Sequence, residues 1–179
     1  MEYWNELYKE LAEKIKENLP AIEWIDLWHD QVSFLTEELP FPTPAVFIGF
    51  TLLNTEDSGE LVQQCNVQVD MYLFFETFSD TYAGSYNQDS ALKFLQELTK
   101  LHALFHGKNG ESYSPMRRTG MSREESGGAG NLYRISFECL TTDYSAKALF
   151  IEVQNPDAEV ELTKGPPDRK PEEGFYDVG

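Results

Sequence analysis

The sequence predicts an α+β domain: a mainly antiparallel sheet flanked by two helices, in the order α-β-β-β-α-β-β, followed by a flexible C-terminal tail. Three features point there. Two segments repeat apolar residues every three or four positions. The stretches between them alternate at every second position or form short apolar runs, which suits strands. Beyond about Gln154, Pro, Gly and charge accumulate and apolar anchors thin out.

The first helix is carried by Trp4, Leu7, Tyr8, Leu11, Ile15 and Leu19, which fall on one stripe, and Pro20 stops it. AIEWIDLWHD follows as a strand with bulk on both sides. Pro40, Pro42 and Pro44 lack the amide hydrogen a central strand needs, so they form an extended lead-in to a short strand from Ala45 to Phe50. NTEDSGE, residues 54–60, reads as a polar turn, and Leu61 to Thr77 as a long strand completing a hairpin. Within it, NVQVDMYLFF alternates up to Met71 and then places Leu73, Phe74 and Phe75 on both sides. A strand with one wet face does not end that way, so its second face needs a cover. The first helix and a neighbouring subunit are the two candidates, and Tyr72 and Phe74 are accordingly candidate subunit contacts.

After a loop over 78–87, Ala91, Phe94, Leu95, Leu98, Leu101, His102 and Phe105 define a second helix, with Asn87 or Asp89 as its cap and Gly107 at its end. Two strands finish the domain, near Tyr113 to Glu124 and Leu132 to Asp143. The first is mostly polar and suits a sheet edge. Residues 1–153 are read as one domain and 154–179 as an acidic flexible tail. The closing FYDV of that tail is a candidate docking peptide.

The balance of 14 Lys and Arg against 31 Asp and Glu gives a formal charge of -17. Such a surface repels the phosphate backbone, which argues against a conventional nucleic-acid binder. No apolar run reaches membrane-spanning length, and the amphipathic N-terminus is unlike a signal peptide. Cys65 and Cys139 share parity with apolar strand neighbours and are expected to be buried; a disulfide would require export, which nothing in the chain signals.

No catalytic, cofactor or metal site is expected. His102 and His106 have the spacing of helical metal ligands but no local third ligand, so they read as a helix-end pair. SGGAGN lacks the Lys and Ser/Thr of a phosphate loop and precedes a strand. RRTGMSR places Arg117, Arg118 and Arg123 in an otherwise acidic chain. Either they meet an acidic neighbour, which a second subunit would supply, or they protect an exposed edge from aggregation.

The phrases PFPTPAVFIGF, VQVDMYLFF, NQDSALKFLQELTKL and LYRISFECLTTD, in that order behind an amphipathic helix, resemble the tail-terminator and tail-completion (head–tail joining) proteins of long-tailed bacteriophages. The similarity is one of pattern and spans roughly residues 1–145. It implies a small α+β subunit that assembles, usually as a hexameric ring, to cap the tail tube and dock to the head connector. Its site would be in the cytoplasm during assembly and then in the virion, as phage or prophage. No catalytic residue carries over. The implied partners are copies of itself, the tail-tube protein and the connector, with DNA passing an acidic lumen unbound. The alternative reading is an acidic α+β module that recruits a basic partner.

Overall fold

Tyr3–Asn18 forms α1, whose stripe buries Leu7, Leu11 and Ile15. A computed structural model describes residues 3–34, 41–76, 81–128 and 130–152. The tail over 154–179, with its FYDV, lies outside the described residues. The chain continues through β1 (Trp24–Leu27), a 3-10 turn (Gln31–Phe34), β2 (Ala45–Gly59), β3 (Val62–Phe75), α2 (Gln88–Ala91), α3 (Lys93–Phe105), β4 (Arg117–Glu124), β5 (Asn131–Asp143) and α4 (Ser145–Glu152). The sheet order is β1-β2-β3-β5-β4. Among the described strands β1 is parallel to its neighbour and the other strand pairings are antiparallel; a single parallel bridge joins His106 and Met116 outside the strands. The fold is thus the expected α+β architecture, and α4 is an element that sequence reading left unassigned.

Both main helices lie on the same face of the sheet. Leu7, Leu11 and Ile15 of α1 and Phe94, Leu98, Leu101 and Phe105 of α3 join one core with Val67, Val69 and Met71 of β3 and Ile135, Phe137 and Cys139 of β5. Each fully buried side chain of this kind contributes about 1.5–3 kcal/mol of transfer free energy. Leu95, expected on the packing stripe, instead faces outward at 42% exposure. The helix is also broken at Leu92, and Asn87 makes no side-chain cap hydrogen bond.

Two strand boundaries move. β2 does not end at Phe50: it runs through the polar stretch 51–59, and the turn is Glu60-Leu61, with Leu61 at φ 58°. Every residue from Thr51 to Glu60 is exposed, so this outer arm buries neither face and carries no apolar alternation to mark it as strand. β4 starts at Arg117 rather than near Tyr113, because Gly107 N–H donates to Met116 O and Met116 N–H to Lys108 O, holding 107–116 as a loop.

That loop is pinned from below by α1. The Glu10 carboxylate accepts the amides of Glu111 (2.7 Å) and Ser112 (2.9 Å), and Lys14 Nζ donates to the Tyr113 hydroxyl at 2.9 Å. Gly110 makes room for it: a Cβ there would fall 1.9 Å from Glu10 Oε1. An N-terminal helix therefore sets the position from which the edge strand β4 departs.

Candidate interaction surfaces

The second face of β3 is covered from within the chain, by the connection between β1 and β2 rather than by α1. Trp28 stacks on Tyr72 with ring centroids 4.0 Å apart and planes at 8°. Phe41 lies edge-on to Phe47 at 5.0 Å and to Phe74 at 5.8 Å. Val32, Ala45 and Leu132 complete this small core. Gly49, opposite Asp70, lets the stack pass close to the sheet: its missing Cβ would sit 3.6 Å from Tyr72 and 3.7 Å from Trp28.

Phe74 is 1% exposed, which corrects its assignment as a subunit contact: it has no surface left to offer. Tyr72 is half-buried. Burial, then the Asp70 carboxylate, pushes its pKa up, against a hydrogen bond with Arg134.

Beyond the aromatic end, the same face is polar and connected. Asp70 is only 6% exposed and accepts from Ser136 Oγ and from Gln68 Nε2, the latter at 2.9 Å and 3.1 Å to its two oxygens. Arg134 Nε lies 3.0 Å from Glu124 Oε1, and Ser122 Oγ donates to that same oxygen at 2.8 Å. Arg117 pairs with Glu138 at 3.1 Å. Through these bonds the buried Asp70 carboxylate is satisfied within the sheet and ties β3 to β5.

The three arginines do not form one patch. Arg117 pairs in register with Glu138 and so shares the polar face, whereas Arg118 pairs with Phe137 and Arg123 with Tyr133, on the helix-bearing side. An irregularity between Arg118 and Gly120 separates the two halves of β4. All three arginines are exposed.

His102 and His106 pack ring to ring at 4.8 Å, and His106 Nδ1 accepts the Arg118 amide at 3.2 Å. Among the described residues no three His, Cys, Asp or Glu side chains gather in metal-binding geometry. Burial first, then the Arg118 and His106 charges, hold the His102 pKa below its usual value. The fold therefore favours neutral His102. Its contribution is complete above the ordinary histidine pKa of about 6.5 and is lost as pH falls from there toward the depressed value. We expect the urea midpoint of the native chain to drop between pH 7.5 and 5.5, and His102→Gln to flatten that slope. An unchanged slope in the variant would assign the drop elsewhere.

Cys65 and Cys139 are both buried free thiols, and burial raises both pKa values, that of Cys139 to about 12. They are protonated at neutral pH and poor nucleophiles. The glycine-rich connection between β4 and β5 turns tightly against the end of β3: a Cβ on Gly130 would lie 2.7 Å from Phe75 O. Ser126 Oγ donates to Gly130 O at 2.7 Å, fastening the turn to itself.

Two features escaped the sequence reading. One is the Trp28–Tyr72 cover, which alternation alone does not pair. The other is the open arm of β2, where Leu52 and Leu53 are 48% and 44% exposed. Compared with known proteins, no family model matches the chain, and no curated protein matches it. No helix among the described residues is long and apolar enough to cross a membrane.

Proposed function

We propose that this chain is a structural subunit of a phage or prophage tail or neck, which self-assembles into a ring, caps the tail tube and docks to the head connector. The observation that carries the reading is the β2–β3 arm. It projects past β1 with Leu52, Leu53 and Leu61 at 48%, 44% and 39% exposure. The adjacent pair Leu52 and Leu53, exposed on a strand that β1 leaves uncovered, offers apolar surface for association, and Leu61 adds a third exposed leucine at the arm's tip. The resemblance in element order supplies the kind of assembly. A formal charge of -17 suits a lumen through which DNA slides without sticking.

The second reading, an acidic module that recruits a basic partner, draws on the same charge. Mass by light scattering across a concentration series, with negative-stain images of the largest species, separates the two. A closed ring with a central hole supports the tail-assembly reading. A monomer throughout the series, together with capture of a basic protein ligand, overturns it in favour of the module. Basic residues engineered into the lumen of such a ring are expected to slow DNA passage.

A further inference from the structure

We infer that the free edge of β4 in one copy pairs, antiparallel, with the free edge of the β2 arm in the next copy, so that one sheet runs on from subunit to subunit. This rests on the self-assembly proposed above and assigns it a surface.

Both edges are open. β1 covers β2 only from Ala45 to Ile48, so on that side no described strand lies beside Thr51–Gly59, whose other side pairs with β3. β4 is the last strand on the other side, with β5 as its one described neighbour. Its start is closed off, because the Arg118 amide is taken by His106 Nδ1. From Gly120 to Glu124 nothing described lies beyond it. Unpaired strand edges are templates for another strand.

Charge selects which edges meet. The arm carries Glu56 and Asp57, with Glu60 in its turn, while β4 carries Arg117, Arg118 and Arg123. Two β4 edges would set arginines against arginines, and two arms would set carboxylates against carboxylates. Only the unlike pairing is favourable, so the contact is head-to-tail, the kind that closes into a ring.

Strand direction agrees. Three successive antiparallel pairings, β2 with β3, β3 with β5 and β5 with β4, leave β4 running opposite to β2. Copies related by rotation about an axis along the strands would therefore meet antiparallel.

Side-chain parity then permits a matched register. On the open part of β4, Met121, 53% exposed, faces Leu52, 48% exposed, on the helix side; the side chain of Arg117, on the closed start, comes level with Glu56 on the polar side. Arg118 falls opposite Thr55, next to Asp57. The irregularity of β4 at Thr119 then lies beside that of β2 at Leu53, so the two extra residues compensate: the main-chain ladder runs over Gly120–Glu124, and beyond the irregularity the Arg117 and Arg118 side chains keep the same faces as Glu56 and Asp57.

A charge swap tests this in the full-length chain. One variant carries Arg117→Glu, Arg118→Glu and Arg123→Glu; the other carries Glu56→Lys and Asp57→Lys. Each alone is expected to self-associate at least about 100-fold more weakly than the native chain. An equimolar mixture should recover assembly, since each variant then meets the unlike edge of the other. Circular dichroism of both monomers checks that they fold. As a second measurement, Leu52→Cys with Met121→Cys in one chain should give a disulfide-linked ladder on oxidation; the native cysteines, 3% and 4% exposed, stay out of reach. Assembly that survives both swaps, or forms without cross-linking, overturns the edge pairing and leaves the ring reading standing. A native chain that never self-associates overturns both.

Discussion

Replacing Phe74 with Ala destabilises the isolated chain by about 3–5 kcal/mol, the range for deleting a buried Phe side chain. For a chain of this length that is a drop of about 10 °C in the unfolding midpoint. The size follows from where the ring sits. Phe74 is 1% exposed, held edge-on by Phe41 and grouped with Val32, Ala45, Phe47 and Leu132. Its neighbours belong to β2, to β5 and to the flanking residues Val32 and Phe41, so filling the space it leaves would require the sheet strands themselves to move. Thermal or urea unfolding at a concentration where the chain is monomeric measures it directly. A subunit-contact role makes the opposite forecast: monomer stability within about 0.5 kcal/mol of the native chain, as for an ordinary surface change, with assembly lost. The two outcomes do not overlap.

The legibility of this chain follows burial. Where one face of an element is apolar and the other wet, periodicity is readable, and α1, the long β3 and β5 stand close to where their patterns place them. Ile135, Phe137 and Cys139 are buried as their alternation requires. Where burial is absent, so is the signal: residues 54–59 extend β2 while reading as part of a turn, because strand pairing is a backbone matter and their side chains have no core to face. The surface was legible as residue types and not as geometry. Arg117, Arg118 and Arg123 stand out in an acidic chain, yet one extra residue at Thr119 decides which face each one joins. The cover over the second face was hidden for another reason. Trp28 and Tyr72 are far apart in sequence, and nothing in either segment's own pattern specifies the other.

That cover makes the second large prediction. Trp28→Ala should destabilise the chain by about 2–3 kcal/mol, less than a fully buried aromatic because Trp28 is only half-buried. The loss has two parts. One is the apolar area that Trp28 shares with Phe47, whose ring centroid lies 5.9 Å away. The other is the parallel stack on Tyr72, and a double-mutant cycle with Tyr72→Ala isolates it, with an expected coupling of about 1 kcal/mol. Trp28→Phe should retain most of the stability. The main chain at this point is held independently, since the Trp28 amide donates to Ile48 O at 3.0 Å whatever the side chain. The variant therefore removes the cover while leaving β1 in place. A measured coupling reads Tyr72 as anchored within its own chain, its ring held by Trp28 and its hydroxyl by Arg134. Coupling near zero would mean that the stack carries no energy, and Tyr72 would return to the surface available to a neighbouring copy.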